Sequence, residues 1–416
     1  MITAIANAFR VPELRRKILF TLAMIGLYRV GAHIPVPGVN VNAIAEQVAN
    51  TAALGLLNLF SGGALAKFAV FSLGIMPYIT SSIIMQLLQG VIPKLEAWSK
   101  EGETGQRRIT QITRYMTLGI ALLQSIGYLS LFRSTLGMNL TFVYGFVIVL
   151  SLIAGTALIM WMGELITQRG IGNGMSLLIF ASIVARFPET AISSVQLGNP
   201  VLVVLLLLIT VLVVAAIVTM ERGQRRVPVQ YAKRVVGRKV YGGAGTYIPF
   251  KLNAANVVPI IFASAILFFP SQVLALWPGA PQAVRTAGDM LASGWLHNGL
   301  YFALIIFFTY FYTALIFNPI DLADNLRKNG GFIPGVRPGS ATVRYIENVI
   351  NRLTLPGGVF LATIAIGPTI LFGATEVPLL QAFGGTSILI MVGVALETMT
   401  QLESQLKMRH YEGFFK

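Results

Sequence analysis

Ten apolar stretches, separated by polar segments, dominate the chain and decide what it can fold into. A helix needs roughly 20 mainly apolar residues to cross the hydrocarbon core of a bilayer. Hydrophobic residues make up 55% of the chain and charged residues 11%, which leaves too little polar surface to cover a water-soluble globule. The pattern therefore predicts an all-α polytopic membrane protein. The ten expected transmembrane helices cover residues 18–35, 68–92, 115–132, 142–163, 175–187, 200–220, 257–277, 299–317, 353–373 and 383–400.

The distribution of basic residues predicts how these spans are oriented. With the N-terminus in the cytoplasm, 26 of the 31 Lys and Arg residues fall in cytoplasmic segments and five fall outside. Cytoplasmic loops of membrane proteins carry such an excess of Lys and Arg. Because an even number of spans returns the chain to the same side, we expect both termini in the cytoplasm.

The ten spans also divide into two groups of five, which allows two structurally related halves. The N-terminal half covers residues 1–190 with spans 1–5, and the C-terminal half covers 191–416 with spans 6–10. Spans 1–5 begin inside and spans 6–10 begin outside, so a pseudo-symmetric relation between the halves must be an inverted one. The fifth span, 175–187, is short for a transmembrane helix, and we expect it to tilt little or to be shielded by its neighbours.

One further apolar segment, residues 54–66, is too short to cross a bilayer. Segments of 10–14 apolar residues are often interfacial or re-entrant. The segment is expected outside, just before the second span, either as an interfacial helix or as a short helix folded back between the spans. A turn such as 61–63 survives at depth only where protein or a water-filled cavity surrounds it.

Two cytoplasmic loops, residues 221–256 and 318–352, are long and rich in polar residues. Their charge alone is equally compatible with solvated connectors that touch anionic lipid headgroups. However, Val, Tyr and basic residues alternate from Arg226 to Tyr241, a pattern typical of a β-hairpin with a basic tip. An ordered hairpin above a membrane indicates docking of a cytosolic partner.

The residues that enzymes and carriers need are scarce. The chain has no Cys, which excludes disulfides, thiolate metal sites and Cys nucleophiles, and its three His residues are far apart. The Gly-rich run at 170–174 lacks the spacing of a nucleotide-binding loop. No metal and no cofactor are expected, and no pair of acids clearly belongs at mid-membrane. Arg29 lies near the outer end of the first span, where the simplest expectation is a structural bond to a carbonyl or an acid.

Several short motifs, in order along nearly the whole chain, resemble the SecY family, the central channel subunit of the bacterial Sec translocon. They are FSGGAL at 60–65, LGIMPYI at 73–79, RGIGNG at 169–174, ERGQRR at 221–226, PIIFAS at 259–264, NP at 318–319, ADNL at 323–326 and FIPGVRPG at 332–339. The resemblance implies a channel that passes unfolded secretory polypeptides across the plasma membrane and releases apolar segments sideways into lipid.

The resemblance also assigns roles to residues of this chain. A constriction, named here the ring set, is implied at Ile75, Ile79, Met175, Ile179, Ile261 and Ile390. The segment 54–66, named here the plug segment, is implied to close the resting pore from outside through Leu57, Asn58, Phe60, Ser61, Gly62 and Gly63. Spans 2 and 7 would form a lateral gate with Ser72, Pro77, Ser81, Ser264 and Phe269. Docking of a ribosome or motor is implied at Arg238, Lys239 and Arg337.

The family resemblance further implies partners and a location. Homologues of SecE and SecG, the motor ATPase SecA, a translating ribosome with its RNA, signal sequences, unfolded substrate chains and anionic lipids are the expected partners. The expected location is the bacterial inner membrane. Two rival functions are a secondary transporter, which needs a compact polar site at mid-bilayer, and an intramembrane enzyme, which needs a nucleophile with a base or a metal. The sequence shows neither.

Overall fold

Helices form most of the chain, and a small sheet accompanies them. The structure, a computed structural model, describes residues 9–37, 39–50, 54, 57–58, 60–132, 142–196, 200–231, 234–236, 239–241, 246–276, 281–282, 286, 288, 290–291, 294–372 and 385–412. The helices within those residues are α1 (Pro12–Gly31), α2 (Val41–Asn50), α3 (Met76–Val91), α4 (Pro93–Lys100), α5 (Glu103–Leu131), α6 (Phe142–Arg169), α7 (Gly174–Gln196), α8 (Pro200–Arg222), α9 (Val258–Leu276), α10 (Gly294–Ile316), α11 (Pro319–Lys328), α12 (Ser340–Phe372) and α13 (Gly385–Glu412). The strands there are β1 (Gln224–Tyr231), β2 (Arg234–Val236), β3 (Lys239–Tyr241), β4 (Thr246–Lys251) and β5 (Gly331–Phe332).

Local sequence signals explain several helix starts. A proline occupies the first turn of α1, α3, α4 and α11, where its missing N–H costs no helical hydrogen bond. Asn318 caps α11, because its side-chain oxygen accepts hydrogen bonds from the backbone N–H groups of Ile320 and Asp321.

Several helices run past the ends of the predicted spans. The helix α5 begins at Glu103 rather than 115, α12 begins at Ser340 rather than 353, and α13 continues to Glu412. The apolar pattern marks the part of a helix that matches the hydrocarbon, whereas the helix itself continues with polar residues beyond it. The same reason applies to the fifth span, because α7 reaches Gln196 although the apolar run predicted from the sequence ends at 187.

The second predicted span, 68–92, starts later in the structure. Residues 61–75 form successive turns, and the helix α3 begins only at Met76. The segment 68–70 pairs instead with 34–36 after α1: the Val36 N–H donates to the Phe68 carbonyl at 2.9 Å. Gly74 has a φ of +57°, a left-handed conformation that interrupts a helix. Irregular backbone of this kind is tolerated within a membrane protein where other protein segments surround it.

Four helical segments within the described ranges are each long and apolar enough to cross a membrane. They are Phe142–Arg169, Gly294–Lys328, Ser340–Pro368 and Gly385–Met408. Two further apolar stretches, Gly174–Arg186 and Val258–Leu267, are parts of the longer helices α7 and α9. The count of ten spans and the division into halves at 190 stay predictions.

The main apolar core draws on helices from both predicted halves. Within the N-terminal half, α5 packs on α3 and α6, and α6 packs on α1 and α7. Within the C-terminal half, α10 packs on α9 and α12, and α13 packs on α8 and α12. Contacts of α5 with α9 and of α7 with α13 join the two halves. One apolar cluster includes residues from all of these helices except α5, so the centre of the molecule is apolar.

The β-hairpin predicted for the loop at 221–256 is present. Strand β1 pairs antiparallel with β4, and β2 pairs antiparallel with β3 further out. The second loop joins the same sheet, since β5 pairs with the end of β1 in the order β4-β1-β5. Val227, Val229 and Phe250 from this sheet pack with Ile333 and Ile346 in a separate apolar core.

Candidate functional site

The structure brings the six residues of the ring set into one apolar cluster. They come from four separate helices: Ile75 and Ile79 at the start of α3, Met175 and Ile179 on α7, Ile261 on α9, and Ile390 on α13. The exposed fraction is 1% for Ile390, 2% for Ile75, 5% for Ile179 and 8% for Met175. Ile79 and Ile261 are partly buried against the same cluster.

A spacing of four residues explains how α3 and α7 each contribute two residues to the ring set. Ile75 and Ile79 are four residues apart, as are Met175 and Ile179, so each pair lies on one face of its helix. A Cβ added to Gly163 of α6 would lie 2.4 Å from the Met175 sulfur, which shows that the thioether packs directly against the α6 backbone. A Cβ at Gly174 would lie 1.9 Å from the Gly163 carbonyl oxygen, so glycine is required for the close approach of α6 and α7.

The plug segment contains a tight turn held by its own polar groups. The Asn58 side-chain oxygen accepts from the Ala66 N–H at 3.0 Å, and the Asn58 carbonyl accepts from the Gly63 N–H at 2.8 Å. The Ser61 hydroxyl donates to the Asn58 carbonyl at 3.1 Å and accepts from the Leu65 N–H. Gly62 and Gly63 have φ values of +66° and +88°, which favour glycine. The turn is therefore fixed by local sequence.

The two apolar faces of the plug segment pack against different clusters. Phe60 and Ala64 belong to the cluster that contains the ring set. Leu54, Leu57 and Leu65 belong to a second cluster with residues of α2, α5 and α6. The segment is thus buried between helices and is not spread over the surface.

Helix α1 and helix α7 reach the same turn through Arg29, which the sequence analysis singled out, and through Tyr28 and Ser182, which it did not. The Arg29 guanidinium donates to the Gly62 carbonyl at 2.9 Å, which is the structural bond to a carbonyl expected for this residue. The Tyr28 hydroxyl lies 2.6 Å from the Ser182 hydroxyl of α7 and 3.4 Å from the Ser61 carbonyl. Tyr28 and Ser182 are separated by 154 residues, and sequence spacing could not have paired them.

The residues predicted for the lateral gate occupy different environments. Pro77 and Ser81 are buried on α3, and Ser264 is buried on α9 with its hydroxyl donating to the carbonyl of Ile261. Ser72 precedes α3, and its hydroxyl lies within hydrogen-bond distance of the Ala64 and Ala69 carbonyls. The side chain of Phe269 lies outside the described residues. Helices α3 and α9 touch, while α5 packs more extensively on α9.

The two predicted docking loops form one body because β5 joins β1. Arg337 is exposed in the turn before α12. Lys239 opens β3, whereas Arg238 lies outside the described residues.

At the root of the first loop, the Glu221 carboxylate accepts from the Asn253 amide at 2.6 Å. Burial raises the pKa of this carboxyl group. The Asn253 hydrogen bond and the charge of Lys251 oppose the rise in pKa, and the charge of Glu397 adds to it.

Comparisons with known proteins agree with this architecture. The SecY family model matches residues 69–399. The chain is 48% identical over 450 residues to the protein translocase subunit SecY of Streptomyces coelicolor, and the match covers 100% of both chains.

Two solved structures share the fold, and each match covers 96% of both chains. One is a SecY protein whose plug domain is described as stabilising the closed state of the translocation channel and maintaining a membrane seal, with a TM-score of 0.68 at 19% identity. The other is Sec61 in the canine ribosome-channel complex from the endoplasmic reticulum, with a TM-score of 0.64 at 17% identity. The chain therefore belongs to the SecY family: it is a protein translocase subunit that conducts polypeptides across the membrane and inserts apolar segments into it, and it is not an enzyme.

Proposed function

We propose that the ring set is the constriction through which the polypeptide passes. The observation that supports this proposal is that all six apolar side chains, from four helices, belong to the central apolar cluster or pack against it. Apolar constrictions exclude water and ions by dewetting. Such side chains also form no lasting hydrogen bonds with a sliding peptide, so they can close around it and release it.

The plug segment, in this proposal, closes the constriction from the outer side while no substrate is present. Its support is the packing of Phe60 and Ala64 into the cluster that holds the ring set. Displacing the segment removes these apolar contacts and opens an aqueous path.

The lateral gate of the proposal lies between α3 and α9, which touch each other and each carry members of the ring set. Small buried residues such as Ser81 and Ser264 allow close helix approach in membranes. Parting these two helices gives a signal sequence or an apolar substrate segment access to lipid.

The loops at 221–256 and 318–352 are proposed to dock the ribosome or SecA through Arg238, Lys239 and Arg337. Arg is suited to phosphate and carboxylate groups, which a ribosome and an acidic protein surface both offer. SecE and SecG homologues, signal sequences, unfolded substrate chains and anionic lipids are further proposed partners. The proposed location is the bacterial inner membrane with both termini in the cytoplasm, as the basic residues indicate.

One experiment separates this function from that of a solute carrier. Proteoliposomes that contain the chain with SecE and SecG homologues, SecA and ATP should translocate an unfolded precursor into a protease-protected space. The same vesicles without SecA should give none. Uptake of a small solute by the chain alone, without precursor movement in the full system, would support the carrier instead.

A further inference from the structure

The turn at 61–62 of the plug segment packs between helices α1 and α7. Helix α1 contacts it through Tyr28 and Arg29, and helix α7 contacts it through Ser182. A Cβ added to Gly62 would lie 3.1 Å from both the Arg29 Nη1 atom and the Ser182 Cα atom. A glycine at 62, with a φ of +66°, therefore favours this close approach of the plug backbone to both helices.

Arg29 supplies a charged hydrogen-bond donor to the turn at 61–62. Its Nη1 atom donates to the Gly62 carbonyl at 2.9 Å, and in the part of the chain that the structure describes Arg29 forms no salt bridge. A hydrogen bond from an ionised donor is stronger than one between neutral groups. The charge of Arg29 is thus directed at the plug backbone and not at an acid.

Tyr28 contacts the same turn through its hydroxyl group. Its side chain is fully buried, and its ring stacks on Phe71 with the centroids 5.7 Å apart. Its hydroxyl lies between the Ser182 hydroxyl at 2.6 Å and the Ser61 carbonyl at 3.4 Å. Ser182 is itself fully buried, and its hydroxyl also lies 2.9 Å from the Leu178 carbonyl. The hydroxyl pair therefore ties the plug turn to α7.

These contacts connect the plug to the ring set through one helix. Ser182 follows Ile179 by three residues on α7, so the two side chains are close to each other along the same helix surface. A shift of α7 that carries Ile179 also carries Ser182, because both residues lie on this helix. Such a shift would change the constriction and the contacts of the plug turn together.

We propose that Tyr28, Arg29 and Ser182, named here the plug latch, are positioning residues that hold the plug segment closed. The proposal rests on the function proposed above for the plug segment. Both backbone acceptors, the carbonyls of Ser61 and Gly62, belong to the turn that Asn58 fixes, so the latch holds the plug as one preformed body.

The test measures ion conductance of the resting channel in planar bilayers, with the chain assembled with its SecE and SecG homologues. Arg29→Met, which keeps the side-chain length but removes the charge, should raise resting conductance by about 10- to 100-fold. Arg29→Lys should restore most of the closure. Tyr28→Phe keeps the ring on Phe71 and should raise conductance less. Lys67→Met is the matched control, because it removes an exposed charge next to the plug and should change nothing.

Deletion of residues 57–65 separates failure of the latch from failure of the plug. The deletion alone should be leaky, and Arg29→Met added to it should cause no further leak, because the latch then has nothing to hold. If the deletion leaks but Arg29→Met and Tyr28→Phe stay at the wild-type level, the latch is refuted and the plug stands. A deletion that leaves conductance unchanged refutes the plug itself. A general packing defect would raise conductance in both backgrounds, and that result also refutes the latch. Normal export of an intact precursor by each variant checks its folding.

Discussion

Replacing Ile390 by Asn measures directly whether the ring set forms a barrier to water and ions. Ile390 is 1% exposed, and its neighbours in the cluster are apolar, so the new amide has no partner for its polar groups in the closed state. Burying an unpartnered amide costs about 1–3 kcal/mol by mutational data. In an open, wet pore water supplies the missing hydrogen bonds, so the cost falls on the closed state.

The size of the effect follows from this difference. Because each 1.4 kcal/mol changes an equilibrium tenfold, the open fraction should rise by about 5- to 150-fold. The effect of Ile261→Asn should be smaller, since this residue is only partly buried. Asn at Ile75, Ile79, Ile261 and Ile390 together should leave the resting channel conductive and admit precursors with defective signal sequences.

The assay is resting conductance in planar bilayers, together with export of a precursor whose signal sequence is defective. Ile266→Asn is the control, because it places the same amide on α9 at a side chain that is 40% exposed. Ile390→Val should change conductance by less than Ile390→Asn, as it removes one methylene and adds no polar group. Wild-type conductance in a folded Ile390→Asn channel would refute the reasoning, since a barrier made of these side chains must respond to an amide.

Three further changes probe the helices and loops around the pore. Arg114→Gln breaks the two-bond pair with Glu164, whose side chain is 16% exposed, and should lower the free energy of unfolding by about 1–3 kcal/mol, whereas Arg107→Gln in an exposed pair should not. Equal melting temperatures for the two variants in detergent would contradict this. Burial raises the pKa of Glu221, so the folded state holds that proton more tightly and wild-type stability falls as pH rises through the raised pKa. Glu221→Gln should remove this loss between acidic and neutral pH, and an unchanged pH slope would contradict it. Arg337→Glu should impair export driven by SecA while membrane insertion of the chain itself stays normal, and normal export would remove Arg337 from the docking surface.

The sequence predicts the parts of this fold that depend on apolar length. Helices such as α6 and α8 are visible as uninterrupted apolar runs, and their observed bounds begin where predicted. The start of the second span was wrong because residues 68–75 are as apolar as a helix, while their backbone pairs with 34–36. Hydropathy indicates whether a side chain can be buried, but it does not indicate which backbone groups will form hydrogen bonds with each other.

The candidate site needed more than periodicity. Any single Ile on a membrane helix is expected in packed core or against lipid, so the ring set was selected by family resemblance and then found to share one cluster. The contacts of Tyr28 with Ser182 and of Arg29 with Gly62 join residues far apart in the chain. No local pattern encodes such contacts, because they depend on how α1, α7 and the plug turn meet in space.

The two elements proposed for the closed state use different interactions for a physical reason. A constriction that must admit many sequences works best with contacts that have no direction, because a sliding peptide then finds no favoured stopping point. A plug that must return to one position needs directional bonds, because dispersion contacts alone allow many nearly equal placements. Accordingly, the ring set is apolar throughout, whereas the plug turn is held by hydrogen bonds to its own backbone carbonyls from Arg29 and Tyr28. Since backbone carbonyls are present whatever the side chain, the exchange of one apolar residue for another in the plug segment should be tolerated. A change at Gly62 should not be, because its left-handed backbone disfavours a side chain and a Cβ there would lie 3.1 Å from Arg29 and Ser182.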